Sequence, residues 1–418
     1  MRKKTLALMA VLSSVAFANA QEIVNPVVKK LYEKGIISKE EAVQLDEELY
    51  KEQEEAVKTD ARIEKMVTET QAKVKKLAKQ KKGGKLFSKV DKVKFGGVGY
   101  IGYTFKDKNN GTDEGNFEIR RGYFVTKAYF NKKDYFRFTF DVTTHNHKDS
   151  SDEGKEMNVK IKHLYLYKDI SSIIPHTGFE IGMVHTPWLD YEEHSGWWER
   201  SVEKTFYESS DGAHMLPSAD AGIDFKTKTE YVSAEYGVFQ GEGYDHIGRK
   251  DKGNKGNKPS IEGRLTWHIL GGGTKHLHPT KDTYANISLH AVDSFNHRGS
   301  DDDLTIYQVH AVYNQPLFLI AGQYIKGDWY TGAGEKGDGY SFNFEVRPFL
   351  EHRIQFFGRY DHWDQDKSKA NDRDQYIYGV AWQMNKYVRW IVNGITVDYD
   401  SNDNKDYNKY MLTAEVHF

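Results

Sequence analysis

The end of the chain alternates between two kinds of residue. In the last thirteen residues, DYNKYMLTAEVHF, apolar side chains occupy every second position, from Tyr410 through Leu412, Ala414 and Val416 to the terminal Phe418. A period of two is that of a β-strand, whose successive side chains point to opposite faces. Because an aromatic residue lies near each end, this pattern predicts a membrane strand. Its apolar side would face lipid, and its two aromatic residues would lie at the two membrane interfaces. A half-buried strand of a soluble protein would alternate in the same way.

The same pattern repeats from Asp91 to the end of the chain. Sixteen segments are predicted to be strands, near 92–106, 116–130, 134–146, 156–168, 177–186, 219–228, 230–241, 258–270, 282–294, 303–314, 316–328, 338–349, 352–364, 374–384, 387–399 and 406–418. An even number suits a closed up-and-down antiparallel barrel. The connections alternate between tight turns, such as Lys132-Lys133, and longer loops. This asymmetry is typical of outer-membrane barrels, so we predict an all-β, sixteen-stranded transmembrane barrel over residues 91–418.

Composition restricts how such a chain could span a membrane. Only 38 % of its 418 residues are hydrophobic and the mean hydropathy is −0.73, yet 14 % are aromatic. After residue 20, no apolar run approaches the ~20 residues that a membrane-spanning helix needs. This composition fits strands in which only every second residue faces lipid. It also fits a soluble sugar-binding β-protein. The chain has no Cys, which excludes disulfides and thiolate metal sites.

Residues 1–20 have the features of a secretory signal peptide. A basic start, Arg2-Lys3-Lys4, precedes an apolar stretch from Leu6 to Phe17, and Ala18-Asn19-Ala20 supplies small residues for cleavage. The apolar stretch is too short to span a membrane as a helix. We therefore predict export, cleavage after Ala20, and a location in the cell outer membrane.

Residues 21–82 are predicted to be helical. Asn25-Pro26 supplies a capping residue and an N1 proline, Gly35 ends the first helix, and Ser38-Lys39-Glu40-Glu41 has the pattern of a capping box. Further on, residues recur every seventh position: Leu49, Ala56, Ile63, Thr70 and Leu77. This repeat favours a short periplasmic coiled coil, but charged residues interrupt its second stripe, so a solvated single helix stays open. Residues 83–90 are predicted to be a linker.

The longest connection, residues 186–218, is the candidate filler of the barrel. A sixteen-stranded barrel is wide enough to leave an aqueous channel. Several predicted strands carry hydrogen-bonding and charged residues on the face opposite the apolar one, so we expect a wet lumen. Trp188, Trp197 and Trp198 would pack the connection against the inner wall.

Three stretches give the chain a resemblance to a known family. They are FEIRRGYFVTKAYFNKKDYFRFTFDV at 117–142, WWERSVEKTF at 197–206, and the ending that begins with AWQMNKYVRWIVNGITVDYD at 381–400. They resemble the phosphate-selective porin O and P family. The more specific matches to this family are the triplet Glu199-Arg200-Ser201 and the pattern from Asn385 to Arg389. The resemblance implies a homotrimeric porin whose third long loop forms a constriction in the lumen, with inward arginines and lysines handling anions.

Basic residues on the predicted inward faces and on the long loop are the candidate pore-lining, anion-binding residues. They are Arg121, Arg137, Lys162, Arg200, Arg264, Arg347, Arg359 and Arg389. In a constriction, such groups replace the hydration of a phosphate-like anion with charge-assisted hydrogen bonds. Acidic residues are interspersed on the same faces, so each cation could equally be paired with a carboxylate of a neighbouring strand. The main prediction is therefore a porin for passive diffusion of small hydrophilic solutes and ions, and phosphate specificity stays open.

Two other functions stay open at this point. The barrel could be structural, with its N-terminal helix tethering the outer membrane to the cell wall. It could also be a hydrolase, although the chain has neither a Gly-x-Ser-x-Gly elbow nor a His-Glu-x-x-His motif. No catalytic residue, metal site, cofactor or nucleic-acid partner is predicted. The predicted surroundings are outer-membrane lipid and lipopolysaccharide, whose phosphates the basic segment Arg249 to Lys258 would attract unless it is only a solvated loop.

Overall fold

The computed structural model describes residues 25–51, 90–109, 113–146, 155–241, 243–244, 258–297, 303–328, 336–365, 372–400 and 405–418. The chain divides into two compact units, Met1–Lys89 and Val90–Phe418. The predicted signal peptide, the heptad positions after residue 51 and nearly all of the linker lie outside the described residues. So does most of the basic segment that begins at Arg249.

The described part of the N-terminal unit contains two helices. The first, α1 (Pro26–Glu33), is capped by Asn25, whose side chain accepts hydrogen bonds from the next turn. The second, α2, covers residues 39–51, and Ser38 and Glu41 exchange the two hydrogen bonds of a capping box at 2.8 and 3.2 Å. Both helix starts are those predicted. Within the described residues, no helix combines the length and the apolar character that a membrane crossing requires.

The second unit is a closed barrel of sixteen antiparallel strands, which confirms the predicted fold. The strands are β1 (Lys92–Lys108), β2 (Glu114–Tyr129), β3 (Tyr135–Asn146), β4 (Lys155–Asp169), β5 (Thr177–His185), β6 (Ala219–Lys228), β7 (Val232–Phe239), β8 (Ser260–His268), β9 (Tyr284–Ser294), β10 (Leu304–Gln315), β11 (Phe318–Asp328), β12 (Gly337–Phe349), β13 (Ile354–Gln365), β14 (Arg373–Gln383), β15 (Val388–Tyr399) and β16 (Tyr407–His417). Strands pair in chain order, and β16 pairs with β1. The C-terminal strand therefore closes the sheet, which leaves no unpaired edge.

Side chains of the barrel alternate between an exposed outer face and a buried inner face. On β9, exposed Ile287 and Leu289 alternate with buried Asn286, Ser288 and His290. Exposed aromatic residues lie toward both ends of the outer face: Tyr324, Tyr340, Tyr376 and Tyr410 toward the long loops, and Trp267, Phe349, Trp382, Trp390 and Phe418 toward the short turns. The outer face thus has an apolar band with aromatic residues at its two ends, as transmembrane barrels do.

The connections alternate in length, as predicted, except at two places on the short-turn rim, where the β4–β5 connection, residues 170–176, is of intermediate length and the β8–β9 connection is long. Turns such as 229–231 and 316–317 join strands at one rim, and longer connections such as 186–218 lie at the other. The connection between β8 and β9, residues 269–283, is the larger departure from the pattern, with fifteen residues at the short-turn rim. Its Leu277 packs against a buried cluster that includes Tyr284 and Leu319. This connection therefore turns inward.

Two β-bulges add basic side chains to the inner wall. Between β1 and β2, Tyr100 pairs with Arg121 and Ile101 pairs with Ile119, so Arg120 is the extra residue. Between β3 and β4, the register shifts in the same way around Lys162. An extra residue lets two consecutive side chains lie on one face of a strand. The bulges thus interrupt the strict alternation at places where basic residues occur.

Gly102 marks a close approach of the two closing strands. A Cβ at this position would lie 1.9 Å from the carbonyl oxygen of Leu412 on β16, and no side-chain rotation relieves a clash with backbone. We expect Gly102→Ala to destabilise the barrel by about 1–3 kcal/mol, seen as a smaller folded fraction on semi-native gel electrophoresis. Gly99→Ala is the matched control on the same strand, because nothing lies within 4 Å of its Cβ position. Equal folded fractions for the two variants would contradict this account.

Candidate channel constriction

Residues 186–218, here called the constriction loop, fold into the barrel. The loop contains a short helix, α3 (Leu189–Glu193). Trp188 and Leu189 are 1 % and 0 % exposed and belong to one apolar cluster with Val292 of β9, Ile306 of β10 and Trp363 of β13. These wall residues are buried inner-face residues of their strands. The loop therefore lies against the inside of the barrel.

A second apolar cluster holds the middle of the constriction loop against β13–β16. Trp197 and Val202 pack with Phe357 of β13, Ile391 of β15 and Met411 of β16. The lumen is predicted to be wet from the strand pattern, but the inner wall beneath the loop is apolar. Burial of large apolar side chains on both surfaces stabilises this seating by roughly 1.5–3 kcal/mol per residue.

Buried ion pairs fix the constriction loop to the same wall. Glu199, 0 % exposed, accepts hydrogen bonds from Arg389 of β15 at 2.5 Å and from Gln355 of β13 at 2.8 Å. Glu203 pairs with Lys409 of β16 at 3.3 Å. Because a buried charge is costly without its partner, the Glu199–Arg389 pair holds the loop strongly, and the partly exposed Glu203–Lys409 pair contributes less.

Other arginines of the wall donate to backbone carbonyls. Arg264 of β8 donates to the Pro187 carbonyl at 2.7 Å, and Arg359 of β13 donates to the Lys204 carbonyl at 2.8 Å. Arg347 of β12 instead donates to the carbonyl of Pro279 at 3.1 Å, in the inward-turning connection 269–283. Three of the predicted anion-binding residues, Arg264, Arg359 and Arg389, thus hold the constriction loop, and Arg347 holds the other inward segment.

The remaining candidates lie on β2–β4 and on the loop. Arg121 donates to Asp141 of β3 at 2.7 Å and to Tyr244 at 2.9 Å. The Lys162 ammonium lies 4.8 Å from the ring centroid of Tyr123. Arg137 contacts a ring nitrogen of His185 at 3.0 Å.

Arg200 is the candidate on the constriction loop itself. It pairs with Glu193 at 3.0 Å and with Glu208 at 2.9 Å. Burial alone would raise the pKa of Glu208, but the charges of Arg200, Lys204, Lys162 and Arg121 hold it well below its usual value. Arg121 and Lys162 lie over the same Tyr123 ring, 5.5 and 4.8 Å from its centroid, and their charges act on the Glu208 carboxylate of the loop. Basic residues of β2, β4 and the loop thus form one group with interspersed acids.

Glu192 is a buried carboxyl group of α3 that accepts hydrogen bonds from two neutral side chains. It is 2 % exposed, and it accepts hydrogen bonds from the Trp188 indole at 2.6 Å and from the Gln323 amide of β11 at 2.5 Å. Burial raises the pKa of Glu192 to about 7, although both donors favour the ionised form. The loop is therefore held at β11 by a group that titrates near neutral pH. Within the described residues, no group of three or more His, Asp or Glu side chains is placed to hold a metal ion.

Three features of this region were not predicted from the sequence. Arg120 faces inward and bonds the Met411 sulfur at 2.6 Å, because of the bulge in β2. The adjacent arginines in the sequence were a signal, but strict alternation sends one of them outward. Glu192 and the connection 269–283 gave no signal, because their roles depend on partners far away in the chain.

Comparison with solved structures finds barrels of the same kind. The anion-selective porin from Comamonas acidovorans matches with a TM-score of 0.56 and 13 % identity, over 78 % of this chain and 99 % of that chain. A loop L8 deletion mutant of OmpT, an outer membrane protein of Vibrio cholerae, matches with a TM-score of 0.50 and 12 % identity, over 78 % and 99 % of the two chains. No family model and no curated protein sequence matches the chain. The chain is thus similar in fold to bacterial outer-membrane porins.

Proposed function

We propose that this protein is an outer-membrane porin, a passive channel for small hydrophilic solutes and ions with a preference for anions. The observation that carries the proposal is the basic group formed by Arg121 and Lys162 of the wall and Arg200 of the loop inside a closed barrel. Cations that border a narrow passage raise the local concentration of anions and repel cations. The apolar band on the outer face supports a membrane location, and the leader at residues 1–20 supports export.

Several finer features belong to the same proposal. The likeness of the sequence to the phosphate-selective porin O and P family supports the anion preference and a homotrimer. Residues 21–82 would then form a periplasmic coiled coil, joined to the barrel by the linker. Phosphate specificity is less well supported, because Asp141, Glu193 and Glu208 neutralise much of the basic charge at short range. The proposed selectivity is therefore one of charge sign rather than of a particular anion.

Zero-current potentials in a planar bilayer with a KCl gradient test the sign of the selectivity. A unit charge at about 4 Å changes an ion's energy by about 1 kcal/mol in water, with opposite sign for an anion and a cation. We therefore expect Lys162→Gln to lower the ratio of anion to cation permeability by up to roughly 25-fold at low salt. Screening should make the effect smaller at 1 M salt. Lys386→Gln is the matched control, because Lys386 is exposed in the turn between β14 and β15.

Three results would count against the proposal. A wild-type protein that prefers cations would contradict the anion preference, and an unchanged ratio in Lys162→Gln would remove Lys162 from the selectivity group. Absence of stepwise current from correctly folded protein would contradict the channel itself and would favour a structural barrel.

A further inference from the structure

Two segments that enter the barrel from opposite ends meet inside it. The constriction loop starts at the long-loop rim, and the connection 269–283 starts at the short-turn rim. Trp198 of the loop donates a hydrogen bond to the Tyr284 hydroxyl at 3.3 Å, and that hydroxyl donates to the Ser195 carbonyl at 2.7 Å. Leu277 of the connection packs against the same buried cluster as Trp198. The two segments therefore border the lumen together beside the first residue of β9.

Three histidines of these segments lie around the contact and are here called the histidine cluster. His194 follows α3 on the constriction loop, and His276 and His278 lie on the connection. The ring centroids of His194 and His276 are 6.5 Å apart, and those of His276 and His278 are 5.1 Å apart. All three histidines are exposed. Because both segments turn into the closed barrel, the water that these side chains contact is that of the lumen.

The hydrogen bond of His194 determines where its ring takes up a second proton. Nδ1 lies 2.7 Å from the Asp190 carbonyl oxygen, and because a carbonyl only accepts, Nδ1 is the protonated nitrogen of the neutral ring. The second proton therefore binds at Nε2 and gives a cation. The Asp190 carboxylate lies 3.6 Å from Nδ1 and stabilises that cation. Glu193, the next acidic group, is paired with Arg200 at 3.0 Å.

The histidines of the cluster differ in how readily they ionise. Partial burial opposes ionisation of His194, but the charge and the carbonyl of Asp190 and the charge of Glu193 hold its pKa above the usual value. Partial burial lowers the pKa of His276, and the charges of His278 and His194 lower it further. As pH falls, His194 therefore gains its charge before His276, and the cluster becomes more positive in successive steps.

The other charged groups that face the cluster keep their charge between pH 8 and pH 5. Burial opposes ionisation of Asp190, but the charges of neighbouring basic residues hold its pKa well below the usual value. Asp282, whose carboxylate accepts a hydrogen bond from the His278 amide at 2.7 Å, adds a second negative charge. Lys228 and Arg137 are the facing cations. These fixed charges of opposite sign offset one another, so the charge that changes at the cluster belongs to its histidines.

We propose that the histidine cluster is a second selectivity site of the channel, which attracts anions at acidic pH and is inactive at pH 8. The inference rests on the proposed porin function and adds to it a regulation of selectivity by pH. A protonated imidazole has a positive charge and two N–H donors, so it suits the same anions as the basic group of β2, β4 and the loop. At acidic pH, selectivity is then set at two places along the lumen.

Zero-current potentials in a KCl gradient, measured from pH 8 to pH 5, test the proposal. Glu192 titrates in the same range, so all variants are compared in a Glu192→Gln background. At low salt we expect the ratio of anion to cation permeability of this parent to rise about fivefold as pH falls, the effect of one unit charge about 8 Å from a passing ion. Adding His194→Gln, His276→Gln and His278→Gln should abolish the rise. The ratio at pH 8 should stay close to that of the parent, because the histidines are neutral there.

Two further variants make the test specific. The double variant His276→Gln with His278→Gln changes only exposed side chains, so it should fold normally and lose the lower-pH part of the rise. Asp190→Asn removes the carboxylate that stabilises the His194 cation, so the upper step of the pH profile should shift to lower pH. A merely structural role of the histidines would not produce this shift.

His352→Gln is the matched control. His352 is an exposed histidine in the turn between β12 and β13, at the same rim as the connection, and its replacement should leave the pH profile unchanged. The same profile in the parent and in the histidine variants, or an unshifted profile in Asp190→Asn, would overturn the proposal and leave the porin function intact. Absence of stepwise current at every pH would overturn both.

Discussion

Replacing Arg389 with methionine is expected to release the middle of the constriction loop and to raise single-channel conductance severalfold. Arg389 is the cation of the buried pair with Glu199, whose side chain is fully buried. Without Arg389 the Glu199 carboxylate stays buried and unpaired, which costs about 3–5 kcal/mol. Methionine keeps the apolar volume of the arginine stem, so the loss is mainly that of charge. The loop should respond by moving its carboxylate into water, which widens the passage.

A second substitution separates anchoring from anion binding. In the double variant Arg389→Met with Glu199→Gln, the charge at position 199 is removed with its partner, and Glu415, the other carboxylate near Arg389, keeps its contact with His417. We therefore expect conductance to return toward the wild-type value. The coupling between the two substitutions, measured as a double-mutant cycle, reports the pair itself. If Arg389 instead bound permeating anions, both variants would lose anion selectivity equally and the single variant would keep wild-type conductance. Lys386→Met controls for the loss of a cation outside the loop contact.

The strands of this barrel could be predicted from sequence because their signal is local. On β12, exposed Tyr340 and Phe342 flank buried Ser341, and the same alternation can be read directly from the chain. The even strand number is compatible with antiparallel closure of β16 on β1, which the structure shows. The inner wall beneath the constriction loop is different, because Ile377 and Ile391 face inward in strands that also carry Trp382 and Trp390 outside. Strands with two apolar faces do not reveal which face is wet.

The role of each basic residue could not be predicted, because a loop anchor and an anion site use the same side chain. Arg264 and Arg121 both lie on inward faces, and the sequence does not distinguish them. The structure places the first beneath the Pro187 carbonyl and the second beside Asp141. The three tryptophans indicated that the long loop packs somewhere, but their partners on β9–β16 lie about a hundred or more residues away. Such contacts depend on the closed barrel, which brings distant strands around the loop.

Glu192 should make the stability of the protein fall as pH rises from about 4.5 to about 7. Its pKa is about 7 in the folded protein, because of burial, against an ordinary value of 4.5. Between these pH values the folded state holds a proton that the unfolded state has lost. Each unit of rising pH therefore lowers the free energy of unfolding by about 1.4 kcal/mol. Over the whole interval between the two pKa values, the free energy of unfolding falls by about 3 kcal/mol at most. This loss of stability is complete above the pKa that Glu192 has in the folded protein, and it is absent below the pKa that Glu192 has in the unfolded chain.

Unfolding in urea, followed in detergent micelles at pH 5 and pH 8, tests this prediction. Glu192→Gln keeps an acceptor for the Trp188 indole and cannot ionise, so it should lose this part of the pH dependence and be more stable than the wild type at pH 8. Glu203→Gln is a control of opposite sign: burial opposes ionisation of Glu203, but the charges of Lys409 and Arg359 hold its pKa below the usual value. Its ion pair therefore stabilises the protein at pH 8 and is lost as pH falls through the folded pKa, so Glu203→Gln should lower stability at pH 8. The same pH dependence in wild type and Glu192→Gln would contradict the assignment, because then no proton is held at Glu192 when the loop is seated.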